Sequence, residues 1–325
     1  MSKFRVYVTA KSFGKVVPDG LKILEKVAEI KRNPYNRLMT EEELTQSLKD
    51  IDAVVLGIDK CSRKVIASLE RVKVIGRHGV GLDNVDLEAA TEKGIIVTYT
   101  PHVNADSVAD HTWTLILALA RKIIPADAST KAGRWEGPKF IGIELSSKTL
   151  GILGLGAIGQ RVAKRAKGFD MNILYYDRCR NEALEREIGV TYVDLERLLR
   201  ESDIITIHAA LTSETRRMIG TRELKMMKKT ALLINTARGE IIDEKILVQA
   251  LREGWIAGAA LDVFEREPPE QFLNVGNVIL TPHISSYTVE ALRRMDTMVA
   301  EDIVKVLTGE KPGHVANPKV YEKRK

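Results

Sequence analysis

Several short stretches of this sequence carry residue types and spacings that could do chemistry. Gly154-Leu-Gly-Ala-Ile-Gly159 fits the pattern G-x-G-x-x-G. It follows an apolar run at 150–153 and opens an amphipathic stretch that predicts a helix over 157–169. The next strand-like run, 171–176, leads into Asp177, 18 residues past Gly159. Each part has a physical task. Gly154 makes the tight turn, Gly156 lets the backbone approach a pyrophosphate seated on the helix N-terminus, and Gly159 lets helix and strand pack closely. The Asp177 carboxylate would accept hydrogen bonds from adenosine ribose hydroxyls and repel a 2′-phosphate, which favours NAD over NADP. Arg178 is adjacent and would soften that preference. Units of this kind also bind S-adenosylmethionine, so the motif alone does not establish hydride transfer.

Three polar residues stand out further along. Arg238 lies in Ile234-Asn-Thr-Ala-Arg-Gly-Glu240, Glu267 in Leu261-Asp-Val-Phe-Glu-Arg-Glu-Pro-Pro269, and His283 in Thr281-Pro-His-Ile-Ser-Ser286. Arg238 and His283 each come just past a strand-like run, at the carboxyl edge where open α/β sheets bind ligands. Taken singly, the three read as a surface arginine, a loop acid and a core histidine.

The elements that must position these residues are legible as an alternation. Short β-branched runs at 6–9, 53–56, 72–75 and 95–98 are separated by helical patterns at 19–29, 40–50 and 62–70. A second set begins at 150–153 and continues at 172–176, 191–193, 204–207, 231–234, 258–261 and 278–280. Strands alternating with helices argue for parallel sheets covered on both faces. The fold expected is α/β, with two doubly wound parallel-sheet domains and a cleft between them. A long apolar helix at 104–122 and an amphipathic one at 289–307 sit where the chain would cross between the units. The simplest layout gives one domain from 1–100 with 286–325 and a nucleotide-binding domain over 101–285.

Composition narrows the class. The chain has 325 residues, 44% of them hydrophobic, which suits two cores. Its net charge is +6, but basic residues are interleaved with acids, as in Glu182-Ala-Leu-Glu-Arg-Glu187, and only short runs such as Lys228-Lys229 and Lys323-Arg324-Lys325 are purely basic. A solvated surface is expected, and no nucleic-acid partner. No apolar run is long enough for a membrane span, and the first residues read as a strand without a signal pattern. Two cysteines, Cys61 and Cys179, make no disulfide framework, so the expected location is a reducing cytoplasm. No metal site is expected.

Taken together the motifs resemble the D-2-hydroxyacid dehydrogenase family over nearly the whole chain. They include Gly76-Arg-His-Gly-Val-Gly-Leu-Asp-Asn84, Asn104-Ala-Asp-Ser-Val-Ala109, the glycine-rich run and the three segments above. The resemblance implies a Rossmann domain for NAD and a flavodoxin-like domain for substrate. It implies that Arg238 holds the carboxylate of a 2-oxo acid and polarises its C2 carbonyl, work that suits a planar, permanently charged guanidinium. It implies that His283 is the acid/base and that Glu267 pairs with it, orients it and favours its charged form. The backbone amides of Val80 and Gly81 would bind the carboxylate, with His78 lining that loop and touching substrate. Asp262 would anchor the nicotinamide carboxamide, and Ala157, Ile158, Thr236, Ala237, Ser285 and Ser286 match cofactor contacts. His208 falls near the adenosine side, where a structural role fits equally, and His102, His111 and His314 read as structural. A homodimer built on the helix 103–121 is also implied.

The substrate is less legible. Formate dehydrogenases of this family carry Gln where this chain has Glu267, which disfavours that activity. The likeness to phosphoglycerate dehydrogenases is greatest, as in Asp83-Asn-Val-Asp-Leu-Glu-Ala-Ala-Thr91, and names 3-phosphoglycerate/3-phosphohydroxypyruvate as the expected pair. Two departures oppose it: Leu56-Gly57 stands where those enzymes usually carry Arg-Ser, and the chain ends soon after its last helix, where many of them carry a regulatory domain. Lys60, Arg77 and Arg134 are the cations that could meet a phosphate instead. A glyoxylate/hydroxypyruvate reductase is the sibling alternative. A dinucleotide-sensing corepressor is the alternative of another class, and turnover of NADH with simple 2-oxo acids separates it from an enzyme.

Overall fold

A computed structural model describes residues 3–35 and 37–323, so the end of the basic run 323–325 lies outside the described residues. The chain forms two compact units, residues 1–104 with 287–325, and Ala105–Ser286.

The first unit holds five strands: β1 (Phe4–Val8), β2 (Ala28–Arg32), β3 (Ala53–Leu56), β4 (Val74–Arg77) and β5 (Ile96–Thr98). They pair in parallel in the order β2-β1-β3-β4-β5, a flavodoxin-like arrangement. β3, β4 and β5 are buried along their whole length, as continuous apolar runs in a sheet covered on both faces must be. One face packs Phe13, Leu24, Val299 and Ile303, and the other packs Leu44, Leu48, Ile66 and Ala90. The helix Val289–Thr308 lies so close to the sheet that a Cβ on Gly76 would stand 2.6 Å from Val299.

β2 departs from the sequence expectation of one helix over 19–29. The helix stops at Glu25, and Ala28-Glu-Ile-Lys-Arg32 forms an edge strand instead. Its charged alternation, buried only in part, is the mark of an edge position, and it begins where the helical period of the sequence runs on.

The second unit holds seven strands: β6 (Thr149–Leu153), β7 (Asn172–Tyr176), β8 (Thr191–Tyr192), β9 (Ile204–Ile207), β10 (Leu232–Asn235), β11 (Gly258–Leu261) and β12 (Val278–Leu280). Their order, β12-β11-β10-β9-β6-β7-β8, is that of a Rossmann sheet with all neighbours parallel. The helix Ala105–Ala120 buries Trp113 against this sheet, where it stacks on Phe169 at 4.6 Å and donates its indole N–H to the Val162 carbonyl. The helix expected over 157–169 runs as an α-helix to Ala166 and closes as a tighter turn, Lys167–Phe169. Strand order reverses between β1 and β3 in one unit and between β6 and β9 in the other, and ligands of such sheets bind at the carboxyl ends there. Among the described residues no helix is long and apolar enough to cross a membrane.

Candidate active site

The glycine-rich turn sits at the reversal point of the second sheet. Gly154 adopts φ +94°, and a Cβ there would lie 2.7 Å from the Ala209 nitrogen beyond β9. A Cβ on Gly159 would lie 2.2 Å from the Gly154 carbonyl oxygen. These two glycines permit backbone approach that no other residue allows. Gly156 differs: it is exposed, and nothing lies within 4 Å of where its Cβ would be. It opens the ten-residue helix Ala157–Ala166, with Ala157 and Ile158 in the first turn. The result is a cradle with open space over a helix N-terminus, a place suited to a phosphate group. At the end of β7, Asp177 accepts from the Leu155 amide at 2.8 Å and the Arg178 amide at 2.7 Å, so its carboxylate is held beside the cradle. His208, at the end of β9, is bonded to the Thr206 hydroxyl at 2.9 Å. Burial pushes its imidazole down to about 3, which keeps it neutral.

The three polar residues come from the loops after β10, β11 and β12. Asn235 ends β10 fully buried, donating to the Arg238 carbonyl at 2.8 Å and accepting from the Ala237 amide at 3.0 Å. Its side chain thereby fixes the turn that presents Arg238. Thr236, in the same turn, is buried and shares a hydrogen bond of 3.0 Å with Thr112 on the helix Ala105–Ala120.

Glu267 and His283 meet. The Glu267 Oε1 to His283 Nδ1 distance is 2.9 Å, and each side chain is about one-third exposed, at 30% and 31%. With Nδ1 on the carboxylate, Nε2 is the nitrogen left to exchange a proton with a ligand. His283 has φ +55°, an uncommon left-handed conformation for a bulky residue, so something must hold it there. Asp262 does so. It is fully buried and accepts from the Thr281 hydroxyl at 2.6 Å, the Ile284 amide at 2.9 Å and the Ser285 amide at 2.8 Å. His111 adds a contact at 3.5 Å. Burial pushes the Asp262 carboxyl up, but these donors outweigh it and hold it at about 2, so it is an anion under all ordinary conditions. The observable work of Asp262 is thus to wrap the 281–285 loop around itself. Ser285 is buried in that loop and Ser286 half-buried.

In the first unit, the loop after β4 is braced from below. The Arg77 guanidinium is buried and donates to the Asn84 side chain at 3.2 Å and to the His78 carbonyl. Asn84 in turn donates to the carbonyls of Gly57 and Asp59. His78 is buried, with Nε2 2.6 Å from Asp296 and its ring edge-on to Phe13. It turns into its own unit, away from the exposed crest of the loop. That crest is the exposed Val80 followed by the half-buried Gly81, and among the described residues neither amide donates to a protein acceptor.

Two sequence expectations about a phosphate, those at Leu56 and Arg77, need correction. Leu56 lies inside β3 and its side chain is fully buried, so position 56 faces the core and the loop proper begins at Gly57. Arg77 is a brace of its own loop and not an available cation. Lys60 and Arg134 are exposed and paired with Glu41 at 3.3 Å and Glu136 at 3.4 Å. Asn235, Thr112 and Glu244 were not singled out in the sequence, because a buried polar residue carries no sign there of what it holds.

Comparison with known proteins agrees with this geometry. A family model described as D-isomer specific 2-hydroxyacid dehydrogenase, NAD binding domain, matches residues 113–285. A glyoxylate reductase of Thermococcus litoralis is 44% identical over 328 residues, covering 98% of each chain. A D-3-phosphoglycerate dehydrogenase of Methanocaldococcus jannaschii is 49% identical over 303 residues, covering 92% of this chain and 57% of its own. Among solved structures, a D-lactate dehydrogenase from Aquifex aeolicus, complexed with NAD and lactic acid, superposes with a TM-score of 0.85. It is 30% identical and covers 96% of this chain and 99% of its own. The chain belongs to the D-isomer specific 2-hydroxyacid dehydrogenase family. It is an oxidoreductase that works with a nicotinamide dinucleotide, and the open cradle at Gly156 with Asp177 beside it fits that cofactor.

Proposed function

We propose that the protein reduces a small unphosphorylated 2-oxo acid, glyoxylate or hydroxypyruvate, to the 2-hydroxy acid, with NAD(H) preferred over NADP(H). The observation that carries the chemistry is the Glu267–His283 hydrogen bond of 2.9 Å at the carboxyl edge of a Rossmann sheet. When bound, the nicotinamide supplies the hydride to C2 in reduction and accepts it in oxidation. His283 gives a proton from Nε2 to the C2 oxygen in reduction and takes it back in oxidation. Glu267 accepts from the other ring nitrogen and so orients the imidazole with Nε2 toward substrate. Arg238 holds the substrate carboxylate through its planar fork and polarises the adjacent carbonyl. The amides of Val80 and Gly81, which lack protein acceptors among the described residues, serve as further carboxylate donors. His78 acts on that site only through the loop it underpins. For the cofactor, Gly154, Gly156, Ala157, Ile158 and Gly159 form the pyrophosphate cradle, and Asp177 takes the ribose. Thr236, Ala237, Ser285 and Ser286 line the nicotinamide end, and the buried Asp262 serves the cofactor through the loop it fixes.

The unphosphorylated substrate is supported by the full-length likeness to glyoxylate reductases and by the burial of Arg77 and Leu56, which keeps both from meeting a phosphate. The second reading is 3-phosphohydroxypyruvate, favoured by the 49% identity to a phosphoglycerate dehydrogenase. A panel of glyoxylate, hydroxypyruvate and 3-phosphohydroxypyruvate with NADH and NADPH separates them. The expected result is greatest kcat/KM for an unphosphorylated acid with NADH. A phosphorylated acid ahead by about tenfold or more, or roughly 1.4 kcal/mol of transition-state binding, would establish the second reading. No turnover of any 2-oxo acid would refute both. We also infer a homodimer, supported by Trp135 at 91% and Ile141 at 74% exposure, both beyond the helix Ala105–Ala120.

A further inference from the structure

Glu244 is the first residue of the helix Glu244–Glu253, yet its side chain does not lie on the helix surface. It is buried, at 3% exposure, and reaches out of the helix to the segment that carries Glu267. One carboxylate oxygen accepts from the Glu265 backbone amide at 2.7 Å, and the other meets the Gln271 side-chain amide. These two contacts bracket Glu267 in sequence. Against the same segment, Gly239, next to Arg238, packs so tightly that a Cβ there would lie 2.0 Å from the Phe264 carbonyl carbon and 2.3 Å from the Glu265 nitrogen. The turn of Arg238 and the segment of Glu267 therefore meet back to back at Glu265, and Glu244 bonds at that junction.

An acid in the first turn of a helix is commonly there for the helix dipole. That account does not explain a buried side chain whose bonds are made to another segment. Burial pushes the Glu244 carboxyl up to about 7; the Glu265 amide opposes this, the Glu265 carboxylate adds to it, Gln271 opposes it and Glu240 adds to it. Arg217, 3.5 Å from Glu265, is the cation of this cluster. A group this costly to bury is retained where its hydrogen bonds specify a geometry.

We propose that Glu244 is a positioning residue for the reaction: by holding the Glu265 amide and the Gln271 side chain, it sets Glu267 where it can orient His283. This rests on the acid/base roles proposed above for that pair. Glu267 and His283 are each about one-third exposed and cannot be fixed by packing alone, so the loop behind them must be fixed. The neutral acid and a glutamine keep both contacts equally, since the Gln271 amide can turn to present its oxygen. A leucine keeps the volume and loses both.

The test compares wild type with Glu244→Leu, Glu244→Gln and Gln271→Leu. It reads kcat and KM for glyoxylate with NADH, NADH affinity by fluorescence, and backbone amide exchange across 264–271. Misplacement of a reacting group by an ångström costs about 10²-fold, so Glu244→Leu should lower kcat by about tenfold or more. NADH affinity should stay within about twofold, and the Glu265 amide should exchange faster. Glu244→Gln should restore kcat to within about threefold of wild type. The proposal is overturned if Glu244→Leu keeps kcat within about twofold, if the Glu265 amide stays protected in it, or if NADH binding falls in step with kcat. Should Glu244→Leu not fold, Gln271→Leu decides: a loss of about threefold or more in kcat at unchanged NADH affinity supports the proposal, and an unchanged kcat overturns it. Wild type without turnover of any 2-oxo acid overturns the functional reading itself, and amide exchange alone then decides whether Glu244 holds the segment.

Discussion

Glutamine at position 244 should stabilise the protein, and increasingly so as pH rises. In the folded chain burial lifts the Glu244 carboxyl from an ordinary 4.5 to about 7. The folded state thus binds this proton more tightly than the unfolded chain does. The stability tied to it is complete below about pH 4.5 and is lost as pH climbs through about 7. Glutamine carries no such proton and is spared the loss. At about 1.36 kcal/mol for each tenfold change in proton affinity, the upper bound on the difference between the two proteins is about 3 kcal/mol. For a unit the size of the second one, each kcal/mol is worth roughly 2–4 °C in Tm. Calorimetric melting of Glu244→Gln and wild type in matched buffers from about pH 5 to about pH 8 should therefore show a gap that widens by several degrees, in favour of glutamine. A gap of constant size across that range would refute the reasoning, because it would mean that the carboxyl does not change its charge between those limits.

Two further expectations address the chemistry directly. His283→Ala should lose about 10²–10⁴-fold in turnover while binding NADH as wild type does, and near-wild-type rates would remove His283 from the mechanism. Asp177→Asn keeps an acceptor oxygen for the Leu155 amide, held at 2.8 Å in wild type, but removes the charge proposed to face the ribose. The NADH-to-NADPH ratio of kcat/KM should fall by about tenfold or more, and an unchanged ratio would assign cofactor choice elsewhere.

The long apolar alternation made both sheets legible, because a strand buried on both faces leaves a continuous β-branched run that a surface element does not. Ile204–Ile207 and Leu232–Asn235 are of this kind. β2 escaped because Ala28-Glu-Ile-Lys-Arg32 is an edge, where polar residues replace the apolar run and the preceding helical period masks a strand of alternating burial. At the candidate site, the positions of Gly154, Asp177, Arg238 and His283 just past strand ends were legible from the apolar runs that precede them. The direction in which a side chain points was not. Arg77 and Leu56 lie close to the carboxyl ends of β4 and β3, yet one braces its own loop and the other fills a core. Two residues at neighbouring positions of a strand end face opposite sides of the sheet, and a one-residue uncertainty in where the strand stops exchanges a ligand for a packing residue.

The residues proposed to react cannot fix their own positions. A general acid must reach substrate, and Glu267 and His283 are accordingly half-open, on loops that have no ladder to hold them. Their geometry is set from behind by buried polar groups. Asn235 closes the turn of Arg238, Asp262 gathers the amides of Ile284 and Ser285 beneath His283, and Glu244 takes the Glu265 amide beneath Glu267. Each of these contacts satisfies loop backbone groups that would otherwise stand without partners away from water. Each is also directional, which apolar packing is not, so a loop held this way has one register. The consequence is a division of labour that kinetics can read. Changes at Asp262 or Glu244 leave the proposed substrate contacts in place and loosen the alignment needed for proton transfer, so they should act on kcat more than on KM, whereas a change at Asn235 loosens the turn of Arg238 and should follow that residue. A change at Arg238, whose proposed contact is with the substrate carboxylate in ground and transition state alike, should act on both.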